Sequence, residues 1–197
     1  MITKKRSAKK LSYGPSERKM IKGENLFHDL LINGLKDMYW AERYLAKKLP
    51  KMVKAATSSD LRGIFSAHIV ETEEQARKLE RVFQLIGEKA SGKKCDAMAG
   101  LIDETTGIID ETEKGSYTRD AALIMAAQKT EHYEIASYGS LKEFAKTMGY
   151  HNVVLILDEI LEEEKETDIA LNDLAINSIN EKARGEWVHD EENKFPV

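Results

Sequence analysis

Cysteine, proline and long apolar runs are scarce in this sequence of 197 residues. Its single cysteine, Cys95, excludes an internal disulfide framework and suits a reducing compartment. No run approaches the roughly 18 apolar residues that a membrane span requires. The N-terminus also lacks the apolar core of a secretory signal. We therefore expect a cytoplasmic protein with no membrane partner.

Only three prolines occur, and Ala, Leu, Lys and Glu dominate the long periodic segments, which favours helices over strands. The length and the 42% hydrophobic content allow one well-buried domain but hardly two. We predict an all-α domain over residues 25–183. A basic, disordered leader is expected over 1–24 and an irregular acidic tail over 184–197.

Positive charge is concentrated at the N-terminus. Residues 1–22 contain eight Lys or Arg and one Glu, a balance of +7, which leaves −11 for the other residues because the net charge is −4. Such a leader could contact nucleic acid through salt-dependent phosphate contacts, although most short basic tails are only solvated. We expect the leader to be solvated. The alternative, from another functional class, is a metal-free helical module that binds nucleic acid through this leader.

Four long segments repeat apolar residues at steps of three and four, which predicts amphipathic helices over about 25–56, 61–86, 119–147 and 152–183. Residues 88–119 are interrupted by glycines and should hold one short helix within a long connection. A connection of this length can return along the second helix before a parallel partner begins. The sequence therefore predicts a four-helix bundle with a long crossover that contains a short extra helix.

Each predicted helix carries polar or ionisable residues on the stripe that should be apolar. The first helix carries Glu42, and the second carries His68, Gln75 and either Glu71 or Thr72. The third carries Glu131, with Glu134 nearby, and the fourth carries Glu164, followed one turn later by Asp168. A carboxylate buried without a partner costs several kcal/mol or more. No Lys or Arg shares these stripes. Divalent metal ions are the economical way to balance the charge.

Distances along the chain place these acids at similar heights. From a turn near residue 58, Glu42 and Glu71 lie 16 and 13 residues away, a mismatch of about 4 to 5 Å. From a turn near residue 150, Glu134 and Glu164 lie 16 and 14 residues away, a mismatch of about 3 Å. Two helix pairs that face each other across a polar centre are the arrangement by which four-helix bundles bind two metal ions through carboxylates. Carboxylates with an imidazole suit iron or manganese.

Metal ligands need hydrogen-bonded support from neighbouring side chains. The candidates for this supporting role are Asp37, Tyr39, Gln75 and Tyr138. The acids expected to face solvent instead are Glu162, Glu163 and Glu166. The sequence identifies no catalytic residue among them.

Five segments occur in the order LKDMYWAERYLAKKLPKM, HIVETEEQARKLERVF, CDAMAGL, AAQKTEHYEIASYGSL and LEEEKETDIAL. Over about residues 26–175 the chain thereby resembles the bacterial YciE/YciF family of ferritin-like stress-response proteins. The resemblance implies a ferritin-like four-helix bundle with a dimetal site, commonly a homodimer, and a role in iron or oxidative stress. The chain departs from the ferritin pattern because His68-x-x-Glu71 and Glu164 followed by Asp168 replace Glu-x-x-His.

Residues and resemblance together lead to a functional hypothesis. The predicted metal ligands are Glu42, His68, Glu71, Glu131, Glu134, Glu164 and Asp168. They would hold two metal ions, preferably iron, in a protein that oxidises Fe(II) with dioxygen or hydrogen peroxide. A dimanganese catalase-like enzyme is the alternative within the same class, because the same oxygen-rich shell accepts manganese.

Overall fold

The computed structural model describes residues 25–192, with side chains up to residue 186. Its helices are α1 (Leu26–Ala55), α2 (Ser59–Leu85), α3 (Asp96–Glu111), α4 (Tyr117–Thr147) and α5 (His151–Leu174), followed by a π-helical segment (Ala175–Ile179) and α6 (Asn180–Glu192). No strand occurs within this range, so the predicted all-α fold is confirmed. The predicted disorder of residues 1–24 and the contact of residues 1–22 with nucleic acid both lie outside the described residues.

Side-chain caps and glycines set the helix ends. Ser58 accepts a hydrogen bond from the backbone of Asp60 at the start of α2, and Ser116 accepts one from Arg119 at the start of α4. Such caps satisfy backbone N–H groups that have no partner within the helix. Gly87 and Gly149 follow the ends of α2 and α4 with φ of 75° and 77°, a left-handed conformation that favours glycine.

The four long helices pack so that every neighbour is antiparallel. The α1–α2 and α4–α5 pairs are hairpins, while α1 also packs on α4 and α2 on α5. The direction of α1 relative to α4 follows from the contacts of Gly34 with Leu141 and of Glu42 with Tyr138. The direction of α2 relative to α5 follows from the contacts of Glu71 with Thr167 and of Lys78 with Glu159. Hence α2 and α4 run in the same direction, and the chain must return along the bundle between them.

The crossover that makes this return contains α3, as predicted. The backbone N–H of Lys93 donates to the carbonyl of Lys36, and the Cys95 sulfur lies 2.9 Å from the Tyr133 hydroxyl. The buried Arg119 donates to the Ile109 carbonyl near the C-terminal end of α3. These contacts hold α3 against α1 and α4.

The C-terminal boundary differs from the prediction, because the helix continues through Gly185 to Glu192. The irregular tail predicted from residue 184 is therefore wrong over 184–192, and residues 193–197 lie outside the described part. Glu186 accepts hydrogen bonds from the backbone of Tyr117 and Thr118 at the start of α4. This tertiary contact offsets the cost of about 1 kcal/mol for glycine in a helix. No helix in the described part is both long and apolar enough to cross a membrane.

Candidate metal centre

Four ionisable side chains meet in the middle of the bundle. They are His68 from α2, Glu131 and Glu134 from α4, and Glu164 from α5. One ligand atom from each lies within 4.8 Å of the others, and all four residues are buried. We call these four residues the buried cluster. An imidazole and three carboxylates at this spacing are a donor set that a metal ion can bridge.

The fourth long helix, α1, adds Glu42 beside the buried cluster. Glu42 is fully buried, and its Oε1 accepts a hydrogen bond from the hydroxyl of Tyr138. Its other oxygen has no hydrogen-bond partner in the described structure. All four long helices therefore direct at least one ionisable group toward the same interior region.

Unsatisfied polar atoms show what the interior lacks. Within the described residues, both oxygens of Glu134 and of Glu164, one oxygen of Glu131 and both ring nitrogens of His68 have no hydrogen-bond partner. Buried polar groups are nearly always paired, and each unpaired one costs about 1 to 3 kcal/mol or more when charged. Metal coordination would satisfy these atoms together, so the residues present fit a bound metal.

Burial and mutual repulsion favour the protonated form of these carboxyls. Burial is the main cause that raises the pKa of Glu42 and of Glu131 to about 8. The pKa values of Glu134 and Glu164 are raised well above the ordinary value by burial and by the charges of neighbouring carboxylates. A divalent ion would reverse this situation, because ligands bind metal in their deprotonated form.

His68 is the basic member of the buried cluster. Burial lowers its pKa to about 4, so the imidazole is neutral at pH 7 and its lone pair is free for a metal. Its Nδ1 lies 3.8 Å from Glu131 Oε1, which is beyond hydrogen-bond distance. The buried Arg119 is engaged at the end of α3 and gives the cluster no counter-charge.

Two predicted ligands, Glu71 and Asp168, lie outside the buried cluster. Glu71 is half-buried and accepts a hydrogen bond of 3.1 Å from Thr167. Thr72 occupies the inward position on α2 instead, which is the other choice that the periodicity left open. Asp168 is partly exposed. Its Oδ1 accepts a hydrogen bond of 3.1 Å from the side chain of Gln128 and lies 3.5 Å from His132 Nε2. Glu71 and Asp168 thus border the centre at the α2–α5 and α4–α5 contacts.

The four supporting candidates divide into two pairs. Tyr138 donates to Glu42, and the buried Gln75 donates to Glu163, so both are close to the polar interior. Tyr39 donates to Glu80, and Asp37 pairs with Lys93, so both have partners away from the buried cluster. Tyr39 turns toward α2, and Asp37 turns toward the crossover, because each lies beside the inward stripe of α1.

The sequence prediction missed Glu163, which it placed in solvent. The side chain is only partly exposed and contacts both Gln75 and Lys78 on α2. The signal that could have found it is the antiparallel register, since Glu71 to Thr167 and Gln75 to Glu163 follow the same pairing. That register depends on α2 packing against α5, which are not consecutive in the chain.

Comparison with known proteins gives one family match and several structural relatives. Residues 26–184 match the family described as Domain of unknown function (DUF892). Protein YciF of Escherichia coli K12 is 47% identical over 156 residues, which cover 79% of this chain and 93% of YciF.

Solved structures show the same fold. The crystal structure of the E. coli stress protein YciF matches with a TM-score of 0.75 at 46% identity, over 79% of this chain and 98% of that one. YcfI from Rhodopseudomonas palustris matches with a TM-score of 0.73 at 40% identity, over 77% and 94%. A Xanthomonas campestris protein at 21% identity and a TM-score of 0.66, over 82% of this chain and 99% of that one, shares the fold.

Proposed function

This chain belongs to the family described as Domain of unknown function (DUF892), and we propose that it is a dinuclear metal protein that oxidises Fe(II) with dioxygen or peroxide in stress protection. The observation that carries the proposal is the buried cluster, whose carboxylate and imidazole atoms converge without hydrogen-bond partners. The relative YciF is described as a stress protein, which supports the cellular role.

The buried cluster supplies the ligands. Glu131, Glu134 and Glu164 would hold the metal through oxygen, and His68 would hold it through nitrogen. Glu42 would be the α1 ligand, and the Tyr138 hydroxyl fixes its orientation. Carboxylates can bridge two ions, which allows three or four of them to serve a dinuclear site. Oxygen ligands with one imidazole favour iron or manganese over ions that prefer thiolate.

A bound pair of Fe(II) ions would supply the electrons that reduce dioxygen or peroxide. The protein contributes a dry interior, since the side chains around the site exclude water. The Tyr138 hydroxyl holds a proton at Glu42 Oε1, because burial raises the pKa of Tyr138 well above its ordinary value. That hydroxyl therefore places a proton donor on the α1 side of the site.

A dimanganese catalase-like enzyme is the second candidate. The buried cluster contains three carboxylates and a single imidazole, with no thiolate, and such an oxygen-rich set accepts manganese as well as iron. The two candidates differ in the gas they exchange. Fe(II) oxidation consumes dioxygen, whereas the catalase reaction releases it from peroxide.

The test begins with the full chain purified without chelator. We expect about two metal ions per chain, as in other dimetal carboxylate bundles. Anaerobic reconstitution with Fe(II) followed by dioxygen should consume oxygen, and Glu134→Gln should lose this uptake. Exposed Glu166→Gln on α5 is the control and should retain it. Metal-free protein whose melting is unchanged by Fe(II) or Mn(II) would refute the proposal and favour a helical interaction module.

A further inference from the structure

A second group of charged residues lies where α2 meets α5, beside the buried cluster. Glu163 accepts hydrogen bonds from Lys78 and, at 3.3 Å, from Gln75. Lys78 also lies 2.8 Å from Glu159. The exposed fraction of the side chains falls from 60% for Glu159 to 25% for Glu163 and 14% for Lys78. We call these three charged residues the acidic seam, which runs from solvent into the bundle.

The acidic seam continues inward as a row of buried polar atoms on α2. Gln75 is 1% exposed, and its Oε1 has no hydrogen-bond partner in the described structure. The hydroxyl of Thr72 and both nitrogens of His68 are also buried without partners. Residues 68, 72 and 75 lie on one helix face at steps of four and three. These three residues therefore lie along about two turns of α2 between Glu163, which contacts Gln75, and the buried cluster, which contains His68.

The negative charge of this region acts on the centre. Glu159 and Glu163 carry two negative charges against the single positive charge of Lys78, and the half-buried Glu71 lies one turn before Gln75 on α2. The net charge of these groups is therefore negative, which attracts a cation toward this side of the buried cluster. A net negative charge raises the local concentration of cations and their rate of association.

Lys78 supplies the positive charge between the two glutamates of the acidic seam. Its ammonium group contacts Glu159 and Glu163 together, although an isolated, partly buried lysine loses stability through desolvation. A divalent ion carries twice the charge and takes carboxylate oxygen as ligand. It can therefore compete with the ammonium for the same two side chains.

We propose that the acidic seam is the route by which a divalent metal ion reaches the buried cluster, with Glu163 as the first inner ligand and Lys78 as the group that the ion displaces. This inference rests on the proposed function, since it needs a metal-binding centre. It assigns a role to Glu163, Lys78 and Gln75, which would otherwise be only an inter-helical contact.

The test measures the rate of Co(II) loading by stopped-flow absorption, using the metal-stripped full chain at low ionic strength. Glu163→Gln removes the inner carboxylate. Glu162→Gln is the matched control, because it removes the same charge from the next residue, whose side chain is 59% exposed and pairs with Lys165. We expect loading about ten-fold slower in Glu163→Gln, with the amount bound at equilibrium unchanged. The control should load at the wild-type rate.

Lys78→Gln provides an independent variant, and thermal melting confirms that each variant is folded. Removing the competing ammonium should speed loading, and raised salt should shrink the effect of Glu163→Gln. Equal loading rates in Glu163→Gln and Glu162→Gln, or a rate in Lys78→Gln at or below that of the wild type, would overturn the inference. Failure of wild-type protein to bind Co(II) at all would instead remove the proposed function.

Discussion

Glu42→Gln should stabilise the metal-free protein at neutral pH and weaken its response to metal. Glu42 is fully buried, and burial raises its pKa from 4.5 to about 8. The folded state therefore holds a proton that the unfolded state has lost between these values. Glutamine keeps the shape and the acceptor for the Tyr138 hydroxyl but never ionises.

The sign follows from the direction of the shift. A raised folded pKa contributes stability that is fully present below pH 4.5 and is lost as the pH rises toward 8. At one pKa unit per 1.36 kcal/mol, the loss at pH 7 is about 3 kcal/mol. Stability changes by roughly 1 kcal/mol per 2 to 4 °C in a chain of this size, so Tm should rise by about 6 to 12 °C.

His68 acts in the opposite direction. Its pKa is lowered by burial from 6.5 to about 4, so the unfolded state binds a proton that the folded state excludes. Stability from His68 is complete above pH 6.5 and is lost as the pH falls toward 4. Metal-free wild-type protein should therefore be most stable at mildly acidic pH.

The assay is thermal unfolding of chelator-treated protein at pH 5 and pH 7. Wild type and Glu42→Gln should differ at pH 7 and nearly coincide at pH 5, while exposed Glu166→Gln should match the wild type at both. A Glu42→Gln protein that melts at or below the wild-type temperature at pH 7 would refute the reasoning. So would a wild type that gains stability between pH 6.5 and 8.

Three further predictions concern the metal, the C-terminal helix and the α1–α4 contact. Fe(II) or Co(II) at about 100 times its Kd should raise Tm by about 5 to 11 °C under anaerobic conditions, and an equal rise in Glu134→Gln would contradict the ligand assignment. Glu186→Gln should cost about 1 kcal/mol in urea unfolding at pH 7 and nothing near pH 3, because the hydrogen bonds from Tyr117 and Thr118 outweigh burial and lower the pKa of Glu186. Stability from that carboxylate is present above pH 4.5 and is lost as the pH falls below it, so a pH-independent difference would count against it. Gly34→Ala should be less stable than Gly63→Ala by about 1 to 3 kcal/mol, since the Cβ at residue 34 would lie 2.6 Å from Leu141 Cδ2 and that methyl must move, whereas the Cβ at residue 63 meets open space and should stabilise α2.

The periodicity of the sequence was sufficient to predict the helices and most of the polar side chains in the interior. Helical spacing placed Glu42, His68, Glu131 and Glu164 on inward stripes, and all four are buried. Capping residues and glycines near the turns marked helix ends within two residues for α1 and α2. These features depend on neighbours three or four positions apart, so a single sequence contains them.

Packing between helices decided which way the side chains at the edges of the stripes point. Residues one position apart on a helix differ by about 100° in direction, so periodicity could not choose between Glu71 and Thr72. The structure turns Thr72 inward and leaves Glu71 at the α2–α5 contact. Asp168 likewise turns toward Gln128 and His132 on α4.

The sequence by itself determined the helices, their apolar faces and the presence of inward acids, because each follows from the local period of the chain. Only the tertiary structure decided that Glu163 contacts Lys78 and that α6 passes through Gly185. Both features depend on partners more than sixty residues away, Lys78 for Glu163 and the start of α4 for Glu186. Local propensity carries no information about such partners, whose hydrogen bonds and charge compensation exist only once the helices have packed.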